Sequence, residues 1–251
     1  MAKKTLLEIV QDILNDAISD EVNSINDTLE AQSVANIVRT TYEEIISNRK
    51  HWPHLFKIGQ LDSSGDSDKP NYMTLPSEVT DVSYIKYNKR QSTGTKDEYS
   101  KVYFKQPEDF LEIVNTRDSS SSSIDSVVDD SGITLFILND RAPVYWTTID
   151  DNTIIFDAYD SSVDSTLQSS KTQVAYYKNP TFSLTDSFIP DLPAKAFPYL
   201  ISESKSVAFN SIFQAPNAKE EQRSRRQRNR LSREAWRAGK AKGSPNFGRK
   251  P

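Results

Sequence analysis

The sequence predicts an α+β fold: an antiparallel helical bundle with a small antiparallel β-containing domain inserted in it, followed by an extended basic C-terminal helix or arm. Three observations carry that expectation. Apolar residues recur every three or four positions near both ends of the body. The middle shifts toward period two and β-rich residues, without the crossover helices that a doubly wound sheet needs. Residues 219–251 are strongly basic. The expected segments are 1–60, the N-terminal helices; 61–189, the β-rich insertion with a short helix; 190–215, the closing helix; and 216–251, the basic arm.

Thr5 with Glu8 has the spacing of a capping box, and Leu6, Ile9, Val10, Ile13, Leu14 and Ala17 follow at helical intervals. After a connector through Asp20, Asn23, Ser24 and Asn26, Asp27 with Glu30 marks a second helix start. Val34, Ile37, Val38, Thr41, Tyr42, Ile45 and Ile46 form its apolar stripe. That helix should stop near Trp52-Pro53, because proline pushes the preceding residue out of helical geometry.

Residues 61–70 read as a Ser/Asp/Gly loop, and from Asn71 the pattern turns to period two at Val82, Tyr84 and Tyr87. A turn is expected over 91–97 and a short strand over 101–104. Pro107 then opens a short helix bearing Phe110, Leu111, Ile113 and Val114. Five serines at 119–123 open a mobile loop that runs to Asp130. Strands are expected over 133–138, 144–148, 153–156 and 172–177, the second and third joined by a turn at Asp150, Asp151 and Asn152. Helix returns after Pro190, starting at Pro193 or at Pro198, with Phe197, Leu200, Ile201, Val207, Ala208 and Ile212 apolar. Ser204 and Ser211 are small enough on that side to admit the N-terminal helices.

Composition narrows the function classes. The chain has 251 residues and 36% hydrophobic content, low for a compact enzyme, and no cysteine. Without cysteine there is no disulfide framework and no thiolate metal site, so an intracellular folding site is expected. The opening meets Glu8 and Asp12 too soon for a signal peptide, and no run approaches a membrane span.

Candidates for chemistry are few, and the sequence points to no enzyme, no cofactor and no metal. His51 and His54 are three apart, but Pro53 disrupts the helix that would align them on zinc. Ser202 and Lys205 have Ser-x-x-Lys spacing without the companion motifs of serine acyl-transfer enzymes. Asp150 and Asp151 are acids of a hairpin turn, which ordinarily face water. With seven glycines, no phosphate loop or dinucleotide fingerprint is present.

The charge distribution says more. Of 31 Lys and Arg and 35 Asp and Glu, residues 219–251 hold 12 basic and 3 acidic, a net charge of +9. That leaves 19 basic and 32 acidic residues before Lys219, a net charge of −13. On a helical projection Arg223, Arg226, Arg230, Arg233 and Arg237 share a sector of about 80°, at roughly 100° per residue. Leu231, Ala235 and Ala238 make a thin apolar strip, with Trp236 to one side. The strip is too small to order the helix alone, so a neighbour's groove or an anionic surface should stabilise it. If the partner is DNA, the arginines contact phosphates with little sequence discrimination and strong salt dependence. If it is protein, they pair with carboxylates while Leu231 and Trp236 anchor the segment. A solubilising tail is the third option.

The order of elements resembles the head-to-tail adaptors of short-tailed bacteriophages, the tail tubular protein A type. Leu6 to Leu14, followed by Asp20-Glu21-Val22-Asn23-Ser24-Ile25, looks like that family's opening helix and connector. Ala35 to Arg49, ending at Trp52-Pro53, is similar to its long second helix. Leu75-Pro76, Phe104, the helix from Pro107 and the hairpin at Asp150-Asp151 resemble its β insertion. Tyr176-Tyr177-Lys178-Asn179-Pro180 and Leu192-Pro193 resemble the approach to its last helix. The resemblance implies a virion protein at the head-tail junction, forming a ring, twelvefold in that family, between the portal protein and the tail nozzle protein. Double-stranded DNA would pass through the lumen without sequence specificity, and no membrane is involved. It also implies a portal-binding set of Arg223, Arg226, Arg230, Leu231, Arg233, Trp236 and Arg237. The alternative is a DNA-binding packaging accessory protein that uses the basic arm directly. The heavy arginine stripe and the 119–130 loop depart from the family pattern.

Overall fold

A computed structural model describes residues 3–17, 21–48, 52–90, 94, 96–150 and 152–240, with 234–240 described by backbone alone. The chain is a mixed α+β fold in which N- and C-terminal helices flank, along the sequence, a central curled β-sheet. Two compact units result, one of residues 1–54 and 180–251, the other of 55–179.

In the helical unit, α1 (Leu6–Asp16) begins at Thr5 with a capping box. The Glu8 amide donates to the Thr5 hydroxyl at 3.3 Å, and the Glu8 carboxylate accepts the Thr5 amide at 2.7 Å. The returning chain completes the cap, since the Leu6 and Leu7 amides donate to the carbonyls of Phe188 and Asp186. Leu6, Ile9, Val10, Ile13 and Leu14 are buried along one face.

Helix α2 (Leu29–Ser47) is capped by Thr28, whose hydroxyl accepts the Ala31 amide at 3.0 Å. The expected cap, Asp27, instead folds its carboxylate back onto the amides of Asn23 and Ser24, both at 2.8 Å. Its geometry closes the connector, and the helix starts one residue later. Val34, Val38, Thr41, Tyr42 and Ile45 are buried as the stripe requires, while Ile37 and Ile46 are half-buried.

Helix α4 (Phe197–Ser211) has Pro198 in its first turn, where its missing N–H costs nothing. Its buried face is Phe197, Tyr199, Leu200, Ser202, Ser204 and Ala208. Val207 and Ser211, expected inside, are exposed. Helix α4 packs against α1, α2 and a further helix, α5 (Ala218–Lys240). Small Ser202 and Ser204 permit that close approach.

The β unit holds an eight-stranded sheet. In chain order its strands are β1 (Phe56–Gly59), β2 (Asp62–Ser63), β3 (Tyr72–Thr74), β4 (Val79–Asn88), β5 (Tyr99–Phe104), β8 (Tyr145–Thr147), β9 (Thr153–Phe156) and β10 (Thr172–Lys178). In space they run β1-β10-β4-β5-β8-β9-β3-β2. Two register shifts between β10 and β4 bend the sheet. All strand pairings are antiparallel among the described residues except β5 with β8. Ile85, Val102, Ile154, Phe156 and Val174 form the centre of the core, and α3 (Pro107–Asn115) adds Phe110 and Val114.

The 119–130 segment differs from the expected mobile loop. Its serines form a bonded turn, with Asp118 accepting from the amide and hydroxyl of Ser120. Residues Ile124–Val128 then form β6, paired antiparallel with β7 (Thr134–Leu138) from Ile124 opposite Leu138 to Val128 opposite Thr134. Only Val127 of β6 is buried, so a run as polar as Ile-Asp-Ser-Val-Val gives a weak alternation signal.

Candidate docking site

The basic segment is helix α5, 23 residues and about 34 Å long. The turn that feeds it holds Gln214 at φ 49°, a left-handed conformation uncommon outside glycine. Asn217 caps the helix, its side-chain oxygen accepting the Glu220 amide at 3.2 Å. Glu220 and Glu221 in the first turn suit the positive end of the helix dipole.

One face of α5 is turned inward. Glu220, Ser224 and Leu231 are buried and Gln227 is half-buried, at intervals of four, three and four. The Ser224 hydroxyl donates to the Glu203 carboxylate on α4, and Arg223 pairs with Glu220. The groove expected from a neighbour is thus supplied by the chain's own α4. Leu231, 8% exposed, is spent within the helical unit. The apolar pattern marks the strip through Leu231, Ala235 and Ala238 but not its extension to Ser224 and Gln227, which are polar.

One flank carries the charge. Arg223, Arg226, Arg230 and Arg233 are exposed, in a sector centred about 110° round the helix from the inward face. Arg225 pairs with Glu221 at 2.5 Å one turn away, an exposed pair of small energetic weight. The side chains of Trp236 and Arg237 lie outside the described residues, although their backbone continues the helix.

Beside Leu231 a cleft of about 240 Å³ opens, lined by Ile45 and Asn48 of α2, by Trp52, by Tyr199 of α4, and by Arg228, Leu231 and Ser232 of α5. The Trp52 indole N–H is already used on the Ile46 carbonyl at 3.2 Å. Burial pushes the Tyr199 phenol up; Glu203 acts in the same direction and Arg228 against it.

Of the residues considered for chemistry, His54, Lys205 and Asp150 have structural partners. His54 Nε2 donates to the Asp191 carbonyl at 2.8 Å, and His51 lies outside the described residues. Lys205 is held by Asp16 at 2.5 Å, and Ser202 is buried on α4. Asp150 accepts the amides of Asn152 and Thr153, and those hydrogen bonds hold its carboxyl below the usual carboxylate range. Asp151 lies outside the described residues. Among the described residues no three of His, Asp and Glu converge as metal ligands, and no helix is long and apolar enough to cross a membrane. Compared with models of known protein families and with curated proteins, the chain matches none.

Proposed function

We propose that this chain is a structural virion protein: a ring subunit of a short-tailed phage connector, twelvefold in its assembly, placed between portal and tail nozzle. In this reading residues of the helical unit form an antiparallel bundle, the β unit meets neighbouring subunits and the nozzle, and α5 is the docking element for the portal. The ring extends the DNA channel for genome retention and ejection. An acidic body of net charge −13 fits a lumen that lets double-stranded DNA slide without adhering. A closed rotational assembly lets one kind of subunit wall a channel.

The observation that carries the reading is the split character of α5. Its inward face is packed on α4, so the helix is held in place, while Arg223, Arg226, Arg230 and Arg233 are exposed along one flank as a cationic surface. Arg237 and Trp236 extend the same docking element. Leu231 contributes indirectly, by fixing α5.

The test mixes the protein with a candidate portal and images the product by negative stain. An added ring on the portal axis is expected, and a variant with the five stripe arginines changed to glutamine should lose it at unchanged helical circular dichroism. Portal binding that survives the five changes would remove α5 from the mechanism. Tight duplex DNA binding near physiological salt, lost in the same variant and unaccompanied by portal binding, would favour a packaging accessory protein instead.

A further inference from the structure

We propose that the outward face of β4, β5 and β8 binds a short run of single-stranded nucleic acid, with bases stacked on its tyrosines and phosphates on its lysines. The inference stands apart from the portal reading, which concerns α5. Alternation along β5 sends Tyr99, Lys101 and Tyr103 to one side, with Lys105 next in the same series, while Val102 between them is buried. On β4, Tyr84 and Lys86 share that side, since Lys86 lies directly opposite Lys101 and the core takes Ile85 and Tyr87. On β8, Tyr145 lies opposite Tyr103. The result is a sheet face on which aromatic and basic side chains alternate.

The lysines are placed for an anion that the chain does not supply. Lys86 and Lys101 face each other across the ladder, and like charges so placed destabilise a sheet. Lys4, Lys69, Lys171 and Lys205 each hold an aspartate, whereas Lys86, Lys101 and Lys105 form no ion pair among the described residues. Their ammonium groups lie instead over Tyr84, Tyr103 and Tyr145, at 5.6, 5.5 and 5.4 Å from the ring centroids. Two carboxylates line the cleft beside this face, but Asp150 is spent on the amides of Asn152 and Thr153, and Asp81 has an interaction of its own. Residues 55–179 as a whole hold 12 basic and 20 acidic side chains, a net charge of −8, so contact at the face decides binding and not the unit's overall field.

Positive charge at alternate positions between exposed rings fits a polymer that repeats a flat base and a phosphate. Tyr103 is 54% exposed, so its ring is ready to stack. Where β5 leaves β4, a cleft of about 450 Å³ opens between Tyr84, Tyr103, Phe104 and Trp146, with room for one base turned inward. An acidic peptide would satisfy the lysines but leave the rings without flat partners. A duplex keeps its bases stacked on one another and offers phosphates alone, so the face distinguishes single strands from double.

The probes are two labelled strands of ~12 nucleotides, oligothymidylate and an abasic strand of equal length and charge, titrated into the full-length protein by fluorescence anisotropy. The thymidine strand should bind about five- to a hundredfold tighter, the range for stacking one base. Tyr103→Thr, which keeps a residue suited to a strand, should cut that ratio about fivefold or more. Lys101→Gln should weaken both strands and reduce the slope of log affinity against log salt by about 0.7. Changing the five stripe arginines of α5 to glutamine should weaken both strands equally and leave the ratio in place. Equal binding of the two strands, or no binding of either, overturns the proposal, as does a ratio that Tyr103→Thr leaves intact in a variant with parental circular dichroism. A ratio lost with the five arginines instead moves the site to α5 and overturns it too. A glutamate-rich peptide that binds more tightly than the thymidine strand, and needs Tyr103 to do so, overturns it in favour of an acidic protein partner.

Discussion

Replacing Arg117 with methionine should cost more stability than any surface charge change in this chain. Arg117, just past the end of α3, donates from Nη1 to the carbonyls of Phe136 (2.9 Å) and Asp157 (2.7 Å), and from Nη2 to Asp157 Oδ2 at 3.1 Å. The other oxygen of Asp157 accepts the amides of Val144 and Tyr145, at 2.9 and 2.8 Å. One ion pair thereby ties the end of α3, β7, the start of β8 and the end of β9. The side chains are 13% and 4% exposed, so solvent cannot take over when one partner leaves. Methionine keeps much of the stem but abandons a buried carboxylate, a loss of about 3–5 kcal/mol. Against a total of about 5–15 kcal/mol for a typical domain, that is a large fraction. Asp157→Asn retains an oxygen for the two amides and should cost less, about 1–3 kcal/mol. The double variant should be at least ~1 kcal/mol more stable than additivity allows, since no unpaired charge remains. Urea unfolding, which adds no screening salt, followed by tryptophan fluorescence and circular dichroism, measures all four proteins. A cost below ~1 kcal/mol for Arg117→Met, or strict additivity, would refute the argument.

Two further outcomes follow from other parts of the structure. Ser224→Ala removes the hydroxyl that joins α5 to Glu203, and the loss of that bond should loosen α5 by about 1 kcal/mol, or roughly fivefold faster amide exchange over 224–231; unchanged exchange there would mean that the bond does not hold the helix. At high pH the buried phenols should destabilise the fold. Tyr159 is pushed up to about 12, chiefly by burial, and Tyr176 to about 12, chiefly by its hydrogen bond to Glu78. Burial also raises Tyr72 and Tyr87. Unfolded phenols release their protons near pH 10.0 while the folded ones retain them, so stability is full below that pH and falls as pH rises toward 12. Tyrosinate absorbance should therefore rise together with the loss of near-ultraviolet dichroism, whereas a smooth titration near pH 10 in a still-folded protein would contradict the burial argument.

Elements governed by local rules were legible in the sequence. The capping box at Thr5, the stripe of α2, the proline start of α3, and the strands β7 to β10 all follow from side-chain period and cap chemistry, and the structure has them within a residue or two. What eluded the sequence depended on long-range partners. Asp27 and Thr28 are both good caps, and only the fold of the connector decides between them. Strand β6 exists because β7 pairs with it, not because Ile-Asp-Ser-Val-Val insists on extension. The inward face of α5 is mostly polar, since Ser224 meets a carboxylate on α4, and no hydropathy pattern marks such a face. For the same reason the arginine stripe was visible as charge, while the cleft on the other side of α5, built from three helices, was not.

Strand β5 has a divided allegiance. Residues 99–102 pair with β4, whereas Tyr103 and Phe104 pair in parallel with β8, through the Tyr103 amide on Val144 and the Lys105 amide on Trp146 at 2.8 and 2.9 Å. The sheet is accordingly two antiparallel halves stitched by a seam two residues long, with the Phe104 and Trp146 rings, 4.8 Å apart, closing over it. Mechanically, such a joint is where load concentrates: each half can remain whole while the stitch gives. A pulling experiment across β4 and β9 would meet a low first force and then two stiffer ladders. The strand ladder thus has its weakest joint where a single strand changes neighbours, and the bonds of Leu61 and Ser63 to Thr172 and Ser169 are left to share the load.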